Sequence, residues 1–269
     1  MVHLLWQSPL ELANYLVLPY RKMKKIFLSI LICLIATGCQ SKTFLQTSKI
    51  QDNKPVLQNP SSNTKHVYLT LDADMSPSME KKLHNQNPPV WYDEQLVVYL
   101  IDNKIPATFF VSGLFAEVYP DFIKKLNATG NYTFENHSYD ESGFTPHCYW
   151  LRPLKDDAEK TQQIARTEKV LTELTGQAPT YFRFPGLCHT ATDDKLIEKL
   201  GYTINQGDII ASDPFNSDKA KILKNIFSQL KDNGTIIMHV GGPNAPQSYE
   251  VLKAMVPELK KQGYEIQHL

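Results

Sequence analysis

The sequence predicts an α/β domain in which parallel strands are covered by helices, and three observations carry that expectation. Short β-branched and aromatic runs alternate with segments of helical apolar spacing, about seven times over roughly 200 residues. Isolated polar residues, Asp72, Asp74, His137, Arg183, Asp213 and His239, fall at or just beyond the ends of the strands so read, the end at which parallel α/β folds gather their sites. The chain, 269 residues of which 42% are hydrophobic, is long enough for one large domain with a short appendage, which is preferred, or for two small domains. This pattern leaves two architectures open, a doubly wound open sheet and a barrel.

The elements follow in order. From Met23 the chain reads as an export signal: Lys24 and Lys25, an apolar run from 26 to 36, then Thr37 and Gly38 before Cys39. The apolar run is too short for a stable membrane-crossing helix, which needs roughly 20 residues. Gly38-Cys39 after such a run also fits a lipoprotein signal, with Cys39 as the lipidated residue and simple secretion as the alternative. Residues 1–39 are therefore expected to be leader and signal, with Met23 as the true start. Residues 40–64, rich in Gln, Asn, Ser and Lys, have the composition of a flexible tether.

Residues 65–269 form the expected folded domain. Strands are read at 66–71, 107–111, 132–135, 181–184, 202–206, 234–239 and 264–268, from their β-branched and aromatic content. Helices are read at 93–103, 119–129, 156–175, 193–200, 217–231 and 248–262, the third closed by Gly176 as a C-cap. Lys plus Arg equals Asp plus Glu at 28 each, so no single-sign field favours nucleic acid or an anionic surface. A neutral substrate suits that balance.

The polar residues suggest chemistry. Asp72 and Asp74, one residue apart at a strand end, can share a metal ion, divide base and ligand roles, or simply cap a turn. Residues 136–141, Asn-His-Ser-Tyr-Asp-Glu, put His137 and two acids on one loop, and imidazole with carboxylates is a common set for zinc and related ions. Arg183 precedes Phe184-Pro185-Gly186, a cation beside a tight turn; a structural arginine paired with an acid is the plain alternative. His239 ends an apolar strand, where an imidazole can act as acid or base near neutral pH. Cys148 and Cys188 are either a bridge or two buried thiols. The loop 142–153 carries His147, Tyr149 and Trp150, rings that stack on a sugar or anchor the loop locally.

Taken in order, these segments resemble the motifs of the polysaccharide deacetylase family, carbohydrate esterase family four, over residues 65–269. Thr70-Leu71-Asp72-Ala73-Asp74, Asn136 to Glu141, Arg183-Phe184-Pro185-Gly186, Asp213-Pro214-Phe215, Ile236 to His239 and the last helix and strand each have a counterpart. The resemblance implies a deformed (β/α) barrel of about seven units. It implies metal-dependent hydrolysis of N-acetyl groups on an N-acetylglucosamine-type polysaccharide, with Asp72 as general base, His239 as general acid, and Arg183 and Asp213 orienting them. Asp74, His137 and Glu141 would hold a divalent ion, zinc first. Pro185, Gly186 and Leu187 would contribute a backbone N–H to the oxyanion and Trp150 would meet the sugar.

The likeness breaks at Ala73, where the family has a ligand acid, and at Glu141, where it has a second histidine. Either Asp74 and Glu141 form a shifted ligand set, with His147 or His189 as substitutes, or the site is a sugar-binding relic. A glycoside hydrolase using paired carboxylates is a further rival, as is a purely structural lipoprotein. The expected setting is exported, periplasmic or cell-envelope, with the membrane met through a lipid on Cys39. The expected partner is an N-acetylated poly- or oligosaccharide and not nucleic acid; no protein partner is inferable.

Overall fold

The computed structural model describes residues 64–269; the leader, Cys39 and the tether up to 63 lie outside them. Eight strands and eight helices occur among the described residues, in the order β1 (Lys65–Ala73), α1 (Pro77–Lys82), α2 (Glu94–Asp102), β2 (Ala107–Val111), α3 (Gly113–Val118), α4 (Pro120–Asn127), β3 (Tyr132–Asn136), α5 (Asp157–Thr175), β4 (Tyr181–Phe182), α6 (Ala191–Lys199), β5 (Thr203–Ile204), β6 (Ile209–Ile210), α7 (Lys219–Gln229), β7 (Gly234–His239), α8 (Ser248–Lys261) and β8 (Tyr264–Gln267). Every strand pairing is parallel, along the path β5-β4-β3-β2-β1-β7-β6. Strand β8 joins β1 at residues 65–68, on the edge that β2 occupies further along at 70–73.

The two edge strands show how far this sheet is curled. Only residues 205–208 separate β5 from β6, and such a link reaches at most about 18 Å. Six inter-strand spacings of about 4.8 Å would hold the edges of a flat sheet about 29 Å apart. The seven strands must therefore bend round into an open half-barrel, which decides between the two architectures left open by the sequence.

Strand parity then sorts the side chains. Val67, Leu69, Leu71 and Ala73 of β1, Ala107, Phe109 and Val111 of β2, and Ile236 and Met238 of β7 all belong to the main core, packed outward against the helices. The alternate residues, including Thr70, Asp72, Phe110 and His239, face the barrel interior, because successive side chains on a strand point to opposite faces. A second core, built from Phe144, Leu154, Ile164, Phe182, Phe184, Ile197 and Tyr202, sits beneath the loop 142–153 and α6.

The helix boundaries have local causes. Asp93, Asp156 and Asp218 accept N-terminal N–H bonds of α2, α5 and α7, and Thr190 with Asp193 closes a reciprocal cap on α6. Gly176 ends α5 at φ 76°. The helix read at 119–129 is α4, and a separate α3 precedes it, parted from it at Tyr119. Helices α1 and α3 and strand β6 were not read from the sequence: six, six and two residues are too few to show a period. Among the described residues no helix is long and apolar enough to cross a membrane.

Candidate active site

The site lies at the C-terminal mouth of the strands and is centred on a buried cation. Arg183, just after β4, is fully buried and reaches across the barrel to β1. Its Nη1 donates to Asp72 Oδ1 at 2.5 Å and to Thr70 Oγ1 at 2.9 Å, while Nε and Nη2 donate to the carbonyl and Oδ1 of Asn205. The guanidinium stacks 3.8 Å above the Phe110 ring. A buried charge so fully partnered avoids the several-kilocalorie cost of an unpaired one. Asp72 Oδ1 is thereby fixed, and no protein hydrogen bond engages its second oxygen among the described residues.

Asp72 and His239 are direct neighbours in the β1–β7 register. The His239 ring is held from behind by Asp213, whose Oδ1 lies 2.9 Å from Nδ1 and whose Oδ2 accepts the His239 backbone N–H and the Ser248 hydroxyl. Burial works against the His239 charge, but the attraction and hydrogen bond of Asp213 prevail and raise its pKa to about 10. Burial pushes Asp213 upward too, yet His239 and Ser248 hold it below the ordinary carboxylate range. Nε2 of His239 points outward, 3.5 Å from Asp74 Oδ2.

Asp74, His137 and Glu141 form the third part of the mouth. One donor atom from each lies within 4.8 Å of the others. His137 Nε2 is 3.5 Å from Asp74 Oδ1 and 3.8 Å from Glu141 Oε2. Its Nδ1 sits 2.9 Å from the Arg183 carbonyl oxygen. A carbonyl only accepts, so Nδ1 carries the proton and Nε2 turns its lone pair to the acids.

Asp74 Oδ1 and Glu141 Oε2 are buried without any hydrogen-bond partner. Desolvation pushes both carboxyls upward; for Glu141 the charge of Asp74 adds to a strong rise, while His239 and His137 partly restrain Asp74. Two orphaned oxygens facing an imidazole lone pair could hold a divalent cation. With every carboxyl ionised, Asp72, Asp74, Glu141 and Asp213 would set four negative charges against Arg183 and His239; the upward shifts of Asp74 and Glu141 reflect that imbalance, which protons or a divalent cation would relieve.

The loop that delivers His137 and Glu141 is braced by residues not singled out in the sequence. Gln163 Oε1 on α5 accepts the N–H groups of Tyr139 and Asp140, Thr167 donates to the Ser138 carbonyl, and Asn136 Oδ1 accepts Ser138 N–H. Gln163 and Thr167 are polar residues on the buried face of α5, a departure from amphipathic patterning that was the available signal. Ser138, Glu141, Leu187 and Ser212, none of them glycine, all have φ near 60°; left-handed backbone of this kind gathers at functional sites.

The other sequence-derived residues fall at the rim or away from it. Pro185–Leu187 form one 3₁₀ turn after Arg183. Gly186 has φ 62°, and a Cβ there would come within 2.7 Å of Cys148 Sγ. Cys148 and Cys188 are bonded, with Cα atoms 5.7 Å apart, so the loop 142–153 is stapled to this turn. Trp150 is 82% exposed. It packs edge-on to Tyr149, which stacks at 5.4 Å on Phe215, two residues beyond Asp213.

Ala73, at the family's ligand position, turns by its parity into the main core, and the acid in the cluster is the next residue, Asp74. Two alternatives are corrected. His189 is turned to Asp194 and stacked on Phe184, and His147 is exposed outside the ligand cluster; neither completes the site.

A parallel half-barrel with an arginine-fixed aspartate, an aspartate-backed histidine and a carboxylate–imidazole pocket at its mouth has the layout of a hydrolase. Comparison with known proteins agrees: the family profile for polysaccharide deacetylase matches residues 59–205, and the chain belongs to that family. The matched region contains Asp72, Asp74, His137, Glu141 and Arg183, while Asp213 and His239 lie beyond it and are brought to the same mouth by β6 and β7.

The chain is 24% identical over 180 residues to a peptidoglycan-N-acetylglucosamine deacetylase of Bacillus cereus, spanning 66% of this chain and 62% of that protein. It is 24% identical over 227 residues to the peptidoglycan-N-acetylmuramic acid deacetylase PdaC of Bacillus subtilis, spanning 81% of this chain and 43% of that one. Among solved structures, a Bacillus anthracis protein described as a CE4 family pseudoenzyme shares the fold at TM-score 0.61 and 18% identity, over 77% of this chain and 64% of the other.

Proposed function

We propose that this chain removes acetyl groups from N-acetylated amino sugars by metal-assisted amide hydrolysis. The observation that carries the reading is the pair of orphaned buried oxygens, Asp74 Oδ1 and Glu141 Oε2, converging on the lone pair of His137. A divalent ion held by Asp74, His137 and Glu141 would supply Lewis acidity to an acetyl carbonyl and to water. Zinc, first choice from the family likeness, is compatible with one imidazole and two carboxylates.

The protein's own groups divide the proton work. Asp72, with Oδ1 occupied by Arg183, has its other oxygen to accept a proton from attacking water. His239 stands beside it in register, protonated, and is placed to give its Nε2 proton to the departing sugar amine. Its raised pKa owes part of its height to Asp74; with Asp74 engaged by a cation that attraction falls, and the histidine comes down toward the range where it releases a proton readily. In the Pro185–Leu187 turn, Pro185 has no N–H and that of Leu187 is donated to the Phe184 carbonyl, which leaves the Gly186 N–H as the oxyanion donor of this reading.

Trp150, Tyr149 and Phe215 supply exposed ring faces for neighbouring sugars. The substrate is a cell-envelope or extracellular N-acetylated polysaccharide, reached by an exported protein whose residues 1–39 act as signal, with Cys39 as lipid attachment and 40–64 as tether. Acetate release from peptidoglycan, poly-N-acetylglucosamine and chitin oligomers, before and after chelation and with metal restored, tests the reading. Release that ignores the chelator would refute the metal role, and cleaved glycosidic bonds without acetate would favour a glycoside hydrolase.

A further inference from the structure

The donors in the Asp74–His137–Glu141 pocket are one imidazole nitrogen and two carboxylates, and the surroundings offer nothing softer. Both described cysteines are consumed in their disulfide. His239 has Nδ1 committed to Asp213, and its Nε2, though 3.5 Å from Asp74 Oδ2, lies outside the cluster of mutually close donors; His189 is paired with Asp194. The Glu141 carboxylate is set in place by its own left-handed backbone, φ 61°, and by the neighbouring N–H bonds to Gln163, so it does not simply hang from a free loop.

We propose that Glu141 makes this an oxygen-biased centre, one that discriminates for zinc over manganese far less than the same pocket would with an imidazole at 141. The inference rests on the metal reading above and adds which chemical class of ion the pocket suits. Hard carboxylate oxygens favour ions of the Mn²⁺ type, which take six oxygen-rich ligands; nitrogen donors favour zinc. The carboxylates crowded at the mouth attract any divalent ion alike. The donor identity at 141 is what separates one ion from another.

Chelator-stripped full chain is titrated with Mn²⁺ and with Zn²⁺ against a fluorescent competitor, and Mn²⁺ binding is read independently from loss of the free-ion EPR signal. Glu141→His should move the Zn²⁺-to-Mn²⁺ affinity ratio toward zinc by about tenfold or more, as expected when a carboxylate gives way to imidazole. Glu141→Gln, the near-isosteric variant that guards against misfolding of the histidine form, should weaken Mn²⁺ by about tenfold or more while thermal unfolding remains cooperative. A ratio unmoved in Glu141→His, or unchanged Mn²⁺ affinity in Glu141→Gln, overturns the inference and leaves the metal reading standing. Failure of the wild-type chain to bind either ion overturns both.

Discussion

Two pairs of carboxylates share the barrel mouth and differ in what their oxygens touch. Asp72 and Asp213 are tied to Arg183 and His239 at 2.5 and 2.9 Å, and Asp213 takes two further hydrogen bonds. Asp74 and Glu141 leave buried oxygens with no partner. Burial of all four raises the same desolvation cost, but only the first pair recovers it within the protein. On the proposed function this difference divides the work: the satisfied pair would orient and move protons, and the unsatisfied pair would take a cation from outside. Glu135, in the same barrel but far from this chemistry, is a useful reference. It is buried and accepts the N–H groups of Thr180 and Tyr181, a local solution that needs no ion.

The largest break in the satisfied pair comes at Asp72. Asp72→Asn, which keeps shape, should lower acetate release by roughly 10²–10⁴-fold, the usual worth of a general base. Asp72→Ala should in addition lose about 3–5 kcal/mol of stability in denaturant unfolding, because Arg183 is left buried and alone. An Asp72→Asn variant of full activity removes Asp72 from the mechanism.

Asp213→Asn acts more gently on the same half. Removing the charge that lifts His239 lowers that histidine's pKa, so the alkaline limb of the rate profile should move to lower pH. An unmoved limb would mean that His239 is not the acid. At the rim, Trp150→Ala or Phe215→Ala should raise KM for oligomers by about 2- to 12-fold, the equivalent of one aromatic contact of 0.5–1.5 kcal/mol, with kcat little changed.

The smallest effect concerns the reference carboxylate. Burial, only partly offset by the Tyr181 and Thr180 N–H groups, raises the pKa of Glu135 to about 6 from 4.5. The native state then holds a proton that the unfolded chain has released. Stability therefore falls as pH rises from 4.5 to 6, by about 2 kcal/mol at 1.36 kcal/mol per pKa unit. Glu135→Gln should flatten that slope in thermal unfolding. A slope unaffected by the change would show that Glu135 is as well solvated folded as unfolded.

Much of this mouth was legible in the sequence because parallel strands deliver polar residues at their ends, and an acid or histidine terminating an apolar run stands out. Asp72, Arg183 and His239 announced themselves in that way. The closure of the sheet did not: the two edge strands β5 and β6 are two residues each, and their pairing depends on partners more than 20 residues away in sequence. Gln163, Asn205 and Ser248 were missed for a related reason. Each acts by reaching a backbone or carboxylate from another element, and nothing in its own neighbourhood marks it. The turn of Ala73 into the core was not legible because a motif aligned by position carries no parity, whereas the strand assigns alternate residues to opposite faces.

Bound metal per chain, measured by elemental analysis after dialysis, tests the division between the two pairs most directly. One divalent ion per chain is expected in the wild type, in Asp72→Asn and in Asp213→Asn, and none in the double variant Asp74→Asn, Glu141→Gln. Metal retained by that double variant, or an equal loss in Asp72→Asn, would contradict the assignment of Asp74, His137 and Glu141 as the cation site.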